Sequence, residues 1–275
     1  MRIEPGTENP DGHDPMSDWW ENPYRVALGD ALTLQVGELD LVAERLSSEW
    51  NFFWNYRMGG EIQPRIDRKT AGSAEWAHWS SCRYPFRDPP GSLVFVPQLA
   101  DRPLVTRPVM PLLVPPAESL TLWISSPLWC RLEVRAEDRT VPLDLDLPVL
   151  RFSETWFGPD TLNGDLAYAS TTRARMNPYL TRDEWVDFRI QTPVIIHNEE
   201  AQVLRVERLN LPLPACGLYL AEEGLISDTL VWNRAGHGQN ASLERIPPVH
   251  GRLVAAPRQT DTASLLTRAF TRLFD

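Results

Sequence analysis

The residues best suited to chemistry fall in two neighbouring segments. Ser153–Phe157 carries Glu154 and Trp156, and 168–175 carries Tyr168, Arg173 and Arg175. Asn163-Gly164 between them is a strong turn signal, so the segments are predicted to pair as antiparallel strands. Arginines beside hydroxyl groups bind carboxylate or phosphate.

Two alternative roles are predicted for this hairpin. The first is a ligand site, in which Glu154, Trp156, Tyr168, Arg173 and Arg175 bind a small anionic or sugar ligand. The second is a structural hairpin. In that case Trp156 and its neighbour Phe157 pack inward, and Glu154 forms a surface ion pair with Arg173 or Arg175.

Carboxylates that could act in pairs are also present. Glycoside hydrolysis needs two of them facing each other across a cleft. Any β-protein of this size has such carboxylates by chance. The alternative hypothesis for function is a hydrolase acting on a sugar or phosphorylated small molecule through Glu154 with Arg173 or Arg175. The carboxylates considered are Glu133, Asp144, Asp146, Glu154 and Asp165.

Motifs of other chemistries are missing from the sequence. It has no Gly-x-Ser-x-Gly nucleophile elbow, no P-loop and no dinucleotide fingerprint. The five histidines show no close pairing, and His78 near Cys82 is a coincidence of spacing rather than half of a zinc site. We expect no catalytic residues, no metal and no cofactor.

The proline distribution predicts the fold that must position the hairpin. The chain has 25 prolines in 275 residues, and many end short apolar runs with alternating pattern. Proline cannot donate to a sheet ladder, so it favours strand ends and edges. The sequence therefore predicts an all-β protein of many short strands in antiparallel β-sandwiches. The runs that show the pattern are Ser119–Pro127, 141–148, 190–193 and 208–214.

Composition divides the chain into four parts. Residues 1–18 have almost no apolar side chain and are predicted to be a mobile tail. An N-terminal β lobe is expected over 19–98 and the main antiparallel sandwich over 99–247. The last part, 248–275, is a linker and one amphipathic α-helix, predicted from a stripe of apolar residues at helical spacing. The stripe contains Leu265, Leu266, Ala269, Phe270, Leu273 and Phe274.

Alternation also predicts core residues. In β-strands the side chains of alternate residues point to one face, so the apolar parity marks the buried side. The residues predicted by alternation to lie in the core are Trp50, Trp54, Leu122 and Ile124; Val194 and Leu209 are predicted to lie there because they sit in apolar strands.

Charge and targeting signals limit the partners. The net charge of −10 argues against a nucleic-acid binder, which needs a basic face. No apolar run is long enough to span a bilayer, and the N-terminus lacks a secretory signal. We expect a cytoplasmic protein with three reduced cysteines. The eleven tryptophans would suit a carbohydrate binder, but such proteins are commonly exported.

The middle of the chain resembles a domain-of-unknown-function family of archaeal and bacterial proteins. The resemblance supplies no activity and no catalytic residues. It implies a prokaryotic protein and an accessory role beside small mechanosensitive-channel proteins, so any membrane contact would be indirect. The strings that carry the resemblance are 107–108, 124–129, 153–158, 168–170, 192–194 and 208–214.

The function predicted from these observations is a non-enzymatic cytosolic β-sandwich module. Its partner is expected to be a protein or a small anionic or sugar ligand. An enzyme should place Glu154 in a concave pocket beside other ionisable groups, whereas a module should present a flat or groove-like aromatic surface.

Overall fold

A computed structural model describes most of the chain, and its regular structure is almost entirely β. The prediction of an all-β protein with antiparallel sheets is confirmed. The predicted tail and C-terminal helix lie outside the described residues. Within the described part, no helix has the length and apolar character to cross a membrane. The described residues are 19–20, 22–58, 62–72, 74–157, 164–172, 188–222, 224–234 and 242–259.

Twenty-two strands and two short 3-10 turns make up the described structure. The first eleven strands are β1 Tyr24–Arg25, β2 Asp30–Gly37, β3 Leu39–Arg45, β4 Glu49–Tyr56, β5 Ile62–Thr70, β6 Ser80–Pro85, β7 Ser92–Gln98, β8 Leu104–Pro108, β9 Leu112–Val114, β10 Ser119–Pro127 and β11 Trp129–Arg135. The remaining strands are β12 Thr140–Pro148, β13 Ser153–Phe157, β14 Asp165–Thr172, β15 Arg189–Asn198, β16 Leu204–Val206, β17 Leu209–Leu211, β18 Leu218–Ala221, β19 Gly224–Ser227, β20 Thr229–Arg234, β21 Ser242–Ile246 and β22 Arg252–Ala255. The 3-10 turns are Ala74–Trp76 and Leu213–Ala215.

The N-terminal sheet is a five-stranded antiparallel sheet in the order β5-β2-β3-β4-β6. Along β2 and β3, every second residue is apolar, and these side chains point to one face of the sheet. That face joins the main core. The turn from β2 to β3 contains Gly37, whose φ is +57°. This turn docks on the end of β12, because Glu38 N–H donates to the Val149 carbonyl at 2.8 Å.

A second antiparallel sheet has the order β1-β7-β11-β12. At one end of this sheet, Ser92 of the middle strand β7 pairs with Arg25 of β1 on one side and with Arg135 of β11 on the other. Directly opposite residues in a sheet point to the same face. The two arginines are therefore separated by one small side chain, with their Cα atoms about 10 Å apart by strand spacing.

The largest sheet branches at β15. One edge of β15 pairs antiparallel with the whole of β10. Its other edge pairs in parallel with β20 and, at Gln191, with β19. The sheet continues through β21 on one branch and through β18 and β22 on the other.

The smaller sheets join distant parts of the chain. One has the order β13-β14-β8-β17, in which β14 and β8 run parallel, and β9 pairs with β16 in a two-stranded ribbon. Parallel pairs were not predicted. They require long crossovers, and a sequence of short alternating strands does not reveal which distant strands meet.

One continuous core connects the sheets. Of the residues predicted to be buried, Trp50, Leu122, Ile124 and Val194 are fully enclosed and Leu209 nearly so. Trp54 is only partly buried and packs against the edge of that core. All three cysteines are free thiols, and Cys130 and Cys216 are buried.

The predicted domain limits and the sandwich layering stay predictions. The strand β7 falls before the predicted boundary at residue 98, and β11 falls after it, yet the two strands pair along their whole length.

Candidate functional site

The predicted hairpin forms. β13 pairs antiparallel with β14, and Glu154 lies directly opposite Tyr168. Arg173 and Arg175 lie outside the described residues, so their approach to Glu154 stays a prediction. The first half of the Asn163-Gly164 turn is also outside.

The prediction that Trp156 is buried was wrong. Trp156 is 45% exposed, whereas Phe157 is buried. Successive residues of a strand point to opposite faces, and the inward face of this hairpin carries Phe157 and Ala167. Glu154, Trp156 and Tyr168 therefore share the outward face. The Trp156 indole lies so close to Gly164 that a methyl group there would be 2.6 Å from the ring.

The polar groups on this outward face bind each other and the loop before β8. Arg102 Nη1 donates to Glu154 Oε1 at 2.6 Å, and the Arg102 guanidinium lies 5.5 Å from the centre of the Tyr168 ring. The Tyr168 hydroxyl donates to Asp101 Oδ1 at 2.8 Å. Sequence reasoning missed Asp101 and Arg102, because nothing local shows that residues 52 and 67 positions apart will meet.

Aromatic packing fixes Tyr168 in this cluster. Its ring centre lies 5.2 Å from that of Trp129 and 5.5 Å from that of Phe152. Burial, aided by the hydrogen bond to Asp101, raises the pKa of Tyr168 well above its usual range. The phenol stays neutral at physiological pH and acts as a hydrogen-bond donor rather than as a base.

Two of the other candidate carboxylates, Glu133 and Asp146, are also engaged in ion pairs. Glu133 lies 3.1 Å from Arg135, and Asp146 is paired with both Arg131 and Arg258. Within the described ranges, no group of three or more His, Cys, Asp or Glu residues is arranged to hold a metal ion.

A serine and a histidine do meet on the largest sheet. Ser119 Oγ lies 2.6 Å from His197 Nδ1 across the β10–β15 pair. A nucleophile needs a base that is itself oriented by a third group. In the part of the chain that the structure describes, no carboxylate is hydrogen-bonded or ion-paired to His197. The contact is exposed and has the character of a cross-strand hydrogen bond.

A more favourable concave site lies where the first two sheets meet. This arginine-lined cleft has a volume of about 810 Å³ and is formed by the start of β2 and β7 and the ends of β1, β3 and β11. Four of the lining side chains are arginines and two are acidic. The lining residues are Pro23, Arg25, Val26, Ala27, Asp30, Arg45, Arg68, Gly91, Ser92, Arg135, Ala136 and Glu137.

Arg45 is the fixed centre of the cleft. Its Nη1 donates to the Val26 carbonyl at 3.0 Å and its Nη2 to the Pro89 carbonyl at 2.7 Å. Its Nε is buried and has no acceptor among the described residues. Two backbone carbonyls thus hold a full positive charge in place without neutralising it, and the second N–H of Nη1 and of Nη2 remains for another acceptor.

Gly91 leaves the guanidinium of Arg45 uncovered on one side. A methyl group at Gly91 would lie 3.6 Å from Arg45 Nη1, in ordinary van der Waals contact. Any larger side chain at position 91 would extend across the guanidinium or into the cleft.

The other three arginines surround this centre. Arg68 donates from Nη1 to the Arg25 carbonyl, which links the N-terminal sheet to β1. Arg135 is paired with Glu133 and keeps a buried Nε without an acceptor among the described residues. Among the described residues, no salt bridge involves Arg25, Arg45 or Arg68.

Sequence reasoning did not single out these four arginines. Three of them are the last residue of a strand: Arg25 of β1, Arg45 of β3 and Arg135 of β11. Arginines at strand ends were the available signal, but only the sheet packing shows that those ends converge.

Comparison with known proteins adds a family but no activity. No curated protein and no solved structure matches the chain. The model of one family, described as a protein of unknown function, matches residues 19–275.

Proposed function

The chain belongs to the DUF432 family, and we propose that it is a binding module that takes a small anionic ligand in the arginine-lined cleft. The observation that carries the proposal is the gathering of four arginines in one concave site of a protein whose net charge is −10. Arginine binds carboxylate and phosphate through a planar fork of N–H donors.

The charge pattern supports this function. The net negative charge of the protein repels anions. A local cluster of positive charge is therefore needed to attract an anionic ligand to one place on the surface. Arg45 contributes most, because backbone carbonyls position its guanidinium before any ligand arrives. A donor that is already oriented loses less conformational entropy on binding.

The proposal keeps the non-enzymatic, cytoplasmic character predicted from the sequence. Cys130 and Cys216 are free thiols, which persist in a reducing compartment. The hydrolase alternative is not adopted, because Glu154 is held by Arg102 and does not line this cleft. Glu154 is also absent from the residues that line a smaller cavity of about 180 Å³ beside Trp76 and Trp79 on the N-terminal sheet.

Thermal stabilisation by inorganic phosphate at low ionic strength tests the proposal. Binding to the folded state raises Tm in proportion to RT ln(1 + [L]/Kd). We expect Arg68→Gln to weaken phosphate binding about tenfold or more, since a hydrogen bond to a charged group contributes about 1.5–3 kcal/mol.

Arg65→Gln is the matched control for Arg68→Gln. Arg65 lies on the same strand, is exposed and is paired with Asp67 rather than lining the cleft. We expect this variant to bind phosphate like the parent protein. Equal effects of Arg65→Gln and Arg68→Gln would contradict the proposal, because they would indicate non-specific screening of surface charge.

Gly91→Val is an independent variant that removes no charge. The added side chain would cover Arg45 or fill the adjacent space, so phosphate binding should weaken while the arginines remain. Unchanged binding by Gly91→Val together with unchanged binding by Arg68→Gln would refute the cleft as the site.

A further inference from the structure

The two acidic residues of the arginine-lined cleft indicate what kind of anion it takes. Asp30 and Glu137 line the cleft beside the four arginines. Within the described part of the chain, neither carboxylate is ion-paired with one of these arginines. Both therefore remain hydrogen-bond acceptors of negative charge within an otherwise positive site.

This pattern disfavours a ligand that is anionic throughout. A polycarboxylate that filled the cleft would place negative groups beside Asp30 and Glu137, where like charges repel. A ligand with an anionic group at one end and hydroxyl groups at the other suits both kinds of lining residue. The arginines bind the anionic group, and the carboxylates accept hydrogen bonds from the hydroxyl groups.

The anionic end is best matched by a phosphate group. A phosphomonoester carries close to two negative charges at neutral pH and three acceptor oxygens. Three arginines without a carboxylate partner in the described structure, Arg25, Arg45 and Arg68, can share those oxygens. A single carboxylate offers fewer acceptors and half the charge.

The size and walls of the cleft set the remainder of the ligand. At about 810 Å³ the cleft lies within the usual range for small-molecule sites and is much larger than a phosphate ion needs. Its apolar lining residues are small, namely Pro23, Val26, Ala27 and Ala136, and no aromatic residue is among the described residues that line it. The described lining thus offers no flat ring on which a nucleobase would stack.

We propose, building on the function proposed above, that the ligand is a phosphorylated polyhydroxy compound of the sugar-phosphate class. The arginines bind its phosphate, and Asp30 and Glu137 accept hydrogen bonds from its hydroxyl groups.

Isothermal titration with ribose 5-phosphate, inorganic phosphate, ribose and citrate tests this assignment. We expect ribose 5-phosphate to bind at least about tenfold more tightly than inorganic phosphate, since each added hydrogen bond to a charged group is worth about that factor. Ribose alone should not bind measurably, and citrate should bind more weakly than ribose 5-phosphate.

Variants of the two acidic residues separate this inference from the proposed function. Asp30→Asn and Glu137→Gln should remove the preference for ribose 5-phosphate and leave inorganic phosphate binding equal or tighter, because a repelling charge is lost. Asp138→Asn is the matched control, since Asp138 follows Glu137 but does not line the cleft. It should change neither affinity.

The outcomes are distinguishable. Equal binding of inorganic phosphate and ribose 5-phosphate, or tighter binding of citrate, would overturn the sugar-phosphate assignment while leaving an anion site. Adenosine monophosphate binding more than tenfold tighter than ribose 5-phosphate would overturn it in favour of a nucleotide. If no phosphate-bearing probe bound at all, both the assignment and the proposed function would fail.

Discussion

Replacing Gly37 with alanine should destabilise the protein more than an ordinary change in a turn. Gly37 has a φ of +57°, and a methyl group there would lie 2.5 Å from the Val149 carbonyl oxygen and 3.1 Å from Leu150 Cδ2. The same carbonyl accepts the Glu38 N–H at 2.8 Å. Since 2.5 Å is far inside van der Waals contact, the turn must move away from β12 and weaken that hydrogen bond.

Two contributions set the size of the loss. A left-handed conformation costs an alanine about 1–2 kcal/mol. A weakened hydrogen bond between backbone groups adds about 0.5–1.5 kcal/mol. We therefore expect Gly37→Ala to lower the free energy of unfolding by about 2–3 kcal/mol.

Urea unfolding followed by tryptophan fluorescence measures this change, and Gly29→Ala provides the matched control. Gly29 also has a positive φ, +84°, but an added methyl group would have nothing within 4 Å. Gly29→Ala should therefore show the conformational cost alone. Equal losses for the two variants at equal m-values would refute the argument that the contact with Val149 matters.

Three further predictions concern the core, the hairpin and the alkaline limit of stability. Ile124→Ala should lower the free energy of unfolding by about 2–5 kcal/mol, because Ile124 is fully buried and a cavity would form; a loss under 0.5 kcal/mol would contradict its place in the core. Glu154→Gln should change stability by less than about 1 kcal/mol in the same urea assay, since its ion pair with Arg102 is exposed, and a loss above 2 kcal/mol would show a larger structural role. Burial raises the pKa of Tyr84 to about 12, with Cys82 and Asp144 adding to the shift. A folded-state pKa above the unfolded value of about 10 gives stability that is present below pH 10 and is lost as the pH rises toward 12. Tyr84→Phe should reduce that loss in urea titrations between pH 9 and 12, and an unchanged slope would contradict the assignment.

Local pattern was sufficient to predict the strands and much of the core. Alternation placed Trp50 and Ile124 inside, and the turn signal at Asn163-Gly164 predicted that β13 and β14 would pair. The burial prediction and the pairing prediction each depend on residues that are close together in the chain. Over such short distances, backbone geometry alone determines which way side chains point and which residues form a turn.

Long-range assembly was beyond the sequence. Trp156 was assigned to the wrong face because an aromatic residue and its neighbour Phe157 are equally apolar, and only the position of the adjoining sheet decides which one is buried. The partners of Glu154 and Tyr168 and the meeting of the strand-end arginines follow from sheet packing. The channel partner implied by the family resemblance stays a prediction.

The branched pairing of β15 has a consequence for the order in which the chain folds during synthesis. The N-terminal sheet pairs strands that lie within residues 30–85, so it can form as soon as they leave the ribosome. β10 must wait for β15, since Pro127 pairs with Arg189, 62 residues later. At about 5–20 residues per second, that gap lasts about 3–12 s, during which β10 lacks the strand that covers one of its edges. One part of the protein thus folds as it is made, while the β10–β15 pair forms only after residue 198 has been added and the described strands of the largest sheet are complete only after residue 255.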